Sequence, residues 1–346
     1  MSKIRVMVTG SGSGVGQGIM KALRLSKLQI TVIAADINAQ NSGFLRADEA
    51  VLIPKVEDLE KPDLFIGILI KNKVDVLMIG SEYDLSFFAR YKKEIENNSK
   101  TIIIISPESS IKIADDKYLT ASFLSENHIA KSDFWAPENK EAAIKIFNNY
   151  KKPMILKSRT GTSQRNVHIV RYEKDLSLLY NKVPNPMLQE ILALPKNQLD
   201  REYTCSIFKC KDGTILGPFT SRRTLKSGNS WIVEVDQFKD IFPLMLKIGR
   251  KFSTIGSLNV QLMMTSNGPV PFEFNARFSG TTAIRAHYGF NEPEMAIKNY
   301  YLNENIENPK IRTGTVFKYF EEVFVDNMKF KDVKSFHKKG LINKWF

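Results

Sequence analysis

Two short runs carry the side chains best suited to chemistry: Asn259-Val260-Gln261-Leu262 and, beyond a turn, Glu273-Phe274-Asn275-Ala276-Arg277. Alternation along an extended chain puts Asn259 and Gln261 on one face of the first run, and Glu273 and Asn275 on one face of the second. Thr265-Ser266-Asn267-Gly268 between them reads as a hairpin turn. Gln261, Glu273 and Asn275 therefore converge. Their oxygen donors, without sulfur or imidazole, suit Mg²⁺ (or Mn²⁺) bridging nucleotide phosphates. Arg277 follows on the same side, where a guanidinium would offset charge on a phosphoryl group in transfer. The bland alternative is a hairpin whose Glu and Asn are merely solvated. Leu262, Met263, Val270, Phe272, Phe274 and Phe278 argue against it, because they make this a core hairpin in which an unpaired carboxylate is costly.

The elements that must position these groups follow from the pattern of the chain. Residues 1–110 alternate strands (4–8, 30–34, 49–53, 76–79, 101–106) with helices (16–25, 61–71, 84–97), which implies a mostly parallel sheet covered on both faces. From 111 onward the pattern changes to α+β. Helices are expected at 117–126 and 140–150, and a β-hairpin flap at 153–157 and 167–171. A helix at 174–180 and a strand at 187–192 come next. An antiparallel stretch follows (202–209, 214–221, 230–236), then a helix at 241–254, the hairpin, and a helix at 292–302. The division expected is 1–110, an α/β domain; 111–186, a small lobe with the flap; 187–325, a large lobe; and 326–346, a basic segment.

Bulk properties narrow the class. The chain has 346 residues, 43% hydrophobic, and a net charge of +13, so anionic partners are expected. Its basic residues are spread along the chain without an interleaved aromatic platform, and nucleic acid is not the expected ligand. No apolar run approaches a membrane span, and Met1 leads straight into a strand without a signal-peptide pattern. The two cysteines, Cys205 and Cys210, are placed on opposite faces of one strand and fit a reduced, cytoplasmic interior.

Upstream, Lys157 ends an apolar strand and faces the polar loop 158–166, where it can meet phosphate oxygens while loop N–H groups cover them. Lys117 can do the same from a neighbouring helix. Gln189-Glu190-Ile191-Leu192 resembles an adenine-edge segment, and Glu202 opens a strand where it can take ribose hydroxyls. Arg222-Arg223 are read as following a strand and, with Arg285, as flanking the carboxylate to be activated; Arg222 is assigned to the nucleotide as well, and for Arg223 a surface salt bridge is an equal alternative. A competing reading starts from Gly10-x-x-x-Gly14-x-Gly16 and Asp36, which match the glycine loop and acidic residue of an NAD(P)-dependent oxidoreductase. The Tyr-x-x-x-Lys pair such an enzyme would use is absent.

Taken in order, Lys117, Lys157, Glu190, Glu202, Gln261, Glu273, Asn275 and Arg277 resemble the ATP-grasp superfamily, and within it ligases similar to the carbamoyl-phosphate synthetase large subunit. The resemblance implies a Rossmann-like pre-ATP-grasp domain followed by two grasping lobes. It implies ATP and Mg²⁺ as cofactors, and a reaction in which a small carboxylate becomes an acyl phosphate and is joined to an amine. Arg277, Lys157 and Arg285 would be the catalytic residues. Lys117, Lys157, Gln189, Glu190, Ile191, Leu192, Glu202 and Arg222 would bind the nucleotide. A homodimer is a common arrangement in that family. The flap loop departs from the family pattern, with Asn166 where glycine is usual, and a non-catalytic ATP-binding module is the third reading.

Overall fold

The computed structural model describes residues 3–130, 132–161 and 166–324. The basic segment 326–346 and residues 162–165 of the flap loop lie outside the described residues. The N-terminal domain runs β1 (Ile4–Val8), α1 (Gly14–Arg24), β2 (Ile30–Asp36), β3 (Glu49–Leu52), α2 (Asp63–Lys71), β4 (Val76–Met78), α3 (Leu85–Ser99) and β5 (Ile102–Ile104). Its five strands are all parallel, in the order β3-β2-β1-β4-β5. Burial on both faces explains the near-continuous apolar strands. Met7, Ile33, Leu77 and Ile103 pack on Phe65, Leu69 and Phe88 of α2 and α3, while Val6, Val8, Val32 and Met78 face α1.

The glycine loop between β1 and α1 is shaped by close contact between backbones. A Cβ on Gly10, whose φ is +55°, would lie 2.8 Å from the Ser81 Cβ, and one on Gly16 would overlap the Gly10 carbonyl. Ser13 caps α1, accepting from the Gly16 N–H at 2.9 Å and donating to the Gly80 carbonyl at 2.8 Å. Gly14 alone in this loop has open space around its Cβ position. Gly16→Ala is therefore expected to lower the unfolding free energy by about 2 kcal/mol or more, and Gly14→Ala to leave it within about 1 kcal/mol. Urea unfolding of the two variants checks this contrast.

Next come α4 (Glu108–Asp115), α5 (Lys117–Glu126), β6 (Phe134–Trp135), α6 (Lys140–Tyr150), β7 (Met154–Ser158), β8 (Val167–Val170), α7 (Glu173–Leu179) and β9 (Pro186–Glu190). The small sheet has the order β6-β9-β7-β8. The flap hairpin is β7–β8, antiparallel, with Lys157 opposite Val167. Two boundaries differ from the sequence-based division. β9 pairs with β7, so the small sheet runs on to Glu190. Phe123 and Leu124 of α5 join the core of the large lobe, where Phe123 meets Phe252 and Phe274 edge to face. Tyr118 at the start of α5 still packs on Phe134 of the small lobe, so the helix bridges the two.

The large lobe comprises β10 (Glu202–Lys209), β11 (Ile215–Phe219), β12 (Ser221–Lys226), β13 (Asn229–Val235), α8 (Phe242–Lys251), β14 (Gly256–Thr265), β15 (Gly268–Asn275), α9 (Thr282–His287), α10 (Glu292–Ala296) and β16 (Gly314–Phe317). Six strands run β15-β14-β10-β12-β13-β16, with β11 paired to β10. Two of these strands were not foreseen, β12 and β16. A π-helical turn, Ile297–Tyr301, continues α10. Ile19, Met20 and Leu23 of α1 share one core with Phe278, Phe290 and Met295. Each such buried side chain contributes about 1.5–3 kcal/mol, and together they fix the glycine loop beside the β14–β15 hairpin. Among the described residues, no helix is long and apolar enough to cross a membrane.

Candidate active site

The β14–β15 hairpin has the register the alternation requires: Asn259 opposite Asn275 and Gln261 opposite Glu273. Their side chains meet. Glu273 Oε1 accepts from Gln261 Nε2 at 2.8 Å and from Asn275 Nδ2 at 3.2 Å. One carboxylate and two carboxamides make a hard oxygen set, provided the two amides turn their oxygens toward a cation. Among the described residues, no cluster of three or more His, Cys, Asp or Glu is placed to hold a metal. A divalent ion at Glu273 would thus need further oxygens, such as those of a nucleotide's phosphates.

Lys157 comes from the other lobe. It is 9% exposed, and among the described residues its ammonium has no hydrogen-bond partner. Burial and the neighbouring Lys117 push its pKa down to about 8, while Glu273 pulls the other way. A buried ammonium with no bonded anion among the described residues is suited to donate to a phosphate oxygen. Lys117 lies close by, its Nζ donating to the Gly161 carbonyl at 2.7 Å. The sign of the pH dependence follows from these groups. Below about pH 8 Lys157 is charged and attracts phosphate; above it the attraction fades. Mg-ADP is expected to bind progressively more weakly as pH rises through 8, with proton uptake on binding in that range. Calorimetric titration in buffers of different ionisation heat measures both.

A cavity of about 930 Å³ opens between the large lobe and the N-terminal domain. Glu202, Arg223, Asn259, Gln261, Glu273, Asn275 and Arg277 line one side, and Gly12, Gly14, Asp36, Glu82 and Asp84 the other. Arg277 is deeply buried, which pushes its pKa down to about 10, so it remains charged at neutral pH. It pairs with Glu82, the loop carboxylate after β4, and donates to the Phe278 carbonyl at 2.7 Å. Asp84, 7% exposed, is raised to about 6 by burial, against the pull of the Thr9 and Ser81 hydroxyls.

Three expectations change here. Arg222 and Arg223 do not follow a strand; they lie within β12, and adjacent strand residues face opposite ways. Arg222 pairs with Asp200 and Glu234 and does not line the cavity. Arg223 is the one turned inward. It donates to Glu202 Oε1 from Nε at 3.0 Å and from Nη2 at 2.5 Å, to Gln261 Oε1 at 2.8 Å and to Ser230 Oγ at 2.9 Å. It thereby ties the carboxylate expected at the ribose to a metal-ligand candidate. Arg285 does not line the cavity: it is fully buried, paired with the equally buried Glu292 at 3.1 Å.

Gln189, Glu190, Ile191 and Leu192 lie outside this cavity, at the end of β9. Glu190 Oε1 accepts from the Asp133 N–H at 3.0 Å, and Ile191 is 41% exposed at the strand end. Asp36, the acidic residue of the oxidoreductase reading, accepts from the Gly12 N–H at 2.8 Å and the Asn38 N–H at 3.1 Å. Those bonds close the glycine loop and leave the glycines a structural reason without a pyrophosphate.

The architecture is a parallel-sheet domain, a small antiparallel lobe with a flap hairpin, and a large antiparallel lobe whose hairpin carries Gln261, Glu273 and Asn275. Residues 188–323 match the family model described as ATP-grasp in the biosynthetic pathway with Ter operon. Among solved structures, the chain is similar to N5-carboxyaminoimidazole synthetase from Staphylococcus aureus in complex with ADP. That match has a TM-score of 0.71 at 15% identity and covers 92% of this chain and 83% of that one. It is also similar to the biotin carboxylase domain of 2-oxoglutarate carboxylase from Hydrogenobacter thermophilus, bound to MgADP and bicarbonate. Here the TM-score is 0.73 at 14% identity, covering 91% and 74%. A biotin carboxylase from Campylobacter jejuni gives 0.71 at 15% identity, covering 90% and 74%. A search of curated proteins gave no match.

Proposed function

We propose that this protein is an ATP- and Mg²⁺-dependent ligase that activates a small carboxylate as an acyl phosphate and joins it to an amine. The observation that carries the reading is the meeting of Glu273, Gln261 and Asn275 on one cavity wall, with the Lys157 ammonium, which has no hydrogen-bond partner among the described residues, in the field of Glu273. Bound there, Mg²⁺ (or Mn²⁺) would neutralise phosphate charge. Lys157 and Lys117 hold phosphate oxygens. Glu202, steadied by Arg223, takes the ribose, and the run from Gln189 to Leu192 takes the adenine edge. Arg277 offsets charge on the group in transfer. A carboxylate oxygen attacks the γ-phosphorus, ADP leaves, and the amine nitrogen then attacks the acyl carbon and expels phosphate. The last step needs no side-chain nucleophile. A homodimer and a cytoplasmic location belong to the same reading, the latter supported by two buried, free cysteines. Hydroxylamine added to enzyme, Mg-ATP and a carboxylate panel traps an acyl phosphate as its hydroxamate. Hydroxamate formed in step with ADP supports the reading, and ADP-free or hydroxamate-free incubations across the panel contradict it.

A further inference from the structure

Asn259 is 1% exposed and lies on the cavity wall beside the metal-ligand candidates, two residues before Gln261 on the same face of β14. Its carboxamide is held by its oxygen only. Oδ1 accepts from Thr204 Oγ1 at 2.9 Å and from Arg285 Nη2. A guanidinium can only donate, so the atom facing Arg285 has to be the oxygen, and the amide cannot flip. The N–H₂ is left with no hydrogen-bond partner among the described residues.

Arg285 is itself fixed. Its Nη1 meets both oxygens of Glu292 at 3.1 Å, and its Nη2 also reaches Thr281 Oγ1 at 2.9 Å. Glu292 is anchored in turn by Ser206 Oγ at 2.5 Å and Ser257 Oγ at 2.7 Å. Breaking a fully buried pair strands the remaining charge away from water, so the arrangement holds its shape. The Asn259 Nδ2 is open to the cavity and is not one of the buried atoms without a partner among the described residues. The network therefore keeps a fixed donor, without a protein partner among the described residues and open to the cavity, on the wall that also carries Arg277 and Glu273.

We infer that Asn259 binds the carboxylate being activated, donating its Nδ2–H to a carboxylate oxygen, and that Arg285 and Glu292 are positioning residues acting through it. This rests on the ligase reading and adds to it a specific contact for the carboxylate. The donor is neutral, so it can donate to the oxygen both in the carboxylate and in the acyl phosphate, while Arg277 supplies the charge.

The test follows the side-chain amide ¹⁵N–¹H signals of the Mg-ADP-saturated protein while acetate, the probe, is added. The Asn259 pair is identified by its loss in Asn259→Asp, or in Asn259→Ser should the aspartate variant fold poorly. The expected result is a saturable downfield shift of the Asn259 pair, which exchanges rapidly with solvent before acetate is added. An Asn259 pair that stays put across the titration, or that is already protected from exchange, overturns the inference. The Gln261 and Asn275 signals separate the two levels: if Mg-ADP itself leaves them unmoved, the ligase reading fails as well.

Discussion

Glu273→Gln is expected to abolish Mg²⁺-dependent ADP formation, with a fall of about 10²–10³-fold or more, while the protein stays folded. Glu273 is the only carboxylate in its trio, and its Oε1 collects both amide donors. A glutamine keeps the shape and can still accept from Gln261 and Asn275, so stability should change by about 1 kcal/mol or less. What is lost is the charge that would hold a divalent ion between protein and phosphates. A second effect follows across the cleft. Glu273 is the group that raises the pKa of Lys157, so its neutralisation lets that pKa fall further and weakens phosphate binding at neutral pH. ADP release and thermal unfolding, measured side by side, check both halves.

Lys157→Met is expected to act in opposite directions on activity and stability. Lys157 is buried with an ammonium that makes no hydrogen bond among the described residues, and desolvation brings its pKa down from 10.5 to about 8. At neutral pH the folded protein carries that charge at a cost, which is relieved as pH rises from 8 toward 10.5. Methionine matches the stem and removes the charge, so the unfolding free energy should rise by about 1–3 kcal/mol. ADP formation should fall about 10²-fold or more if, as proposed, Lys157 is the cation that faces the transferring phosphate. Denaturant unfolding and steady-state turnover of one variant report both. A surface lysine would give neither effect.

The hairpin was legible because its logic is local. Alternation sets the faces, Thr265 to Gly268 sets the turn, and the register then brings Gln261 opposite Glu273. The parallel order of the first domain was legible for a similar reason, from apolar strands alternating with helices. Features that depend on distant partners were not. The inward turn of Arg223 and outward turn of Arg222 follow from β12, which lies just beyond Gly217-Pro218 in a stretch that reads as the end of a strand. The burial of Arg285 depends on Glu292, and on Ser206 and Ser257 brought in from two other strands. Asn259 was seen as lying on the right face, yet its role rests on which amide atom Arg285 selects. Glu82 reaches Arg277 across 195 residues of sequence. The small-lobe boundary moved because α5 packs Phe123 and Leu124 into the large lobe.

The central claim is that nucleotide and metal meet at Glu273. Thermal unfolding with Mg-ADP, beside Mg²⁺ alone, NADH and NADPH, tests it most directly. A ligand at a hundred times its dissociation constant adds about 2.7 kcal/mol. The account predicts a clear upward shift with Mg-ADP that disappears in Glu273→Gln, and none with either nicotinamide nucleotide. A shift with NADH or NADPH alone, or an Mg-ADP shift that Glu273→Gln leaves intact, would contradict it.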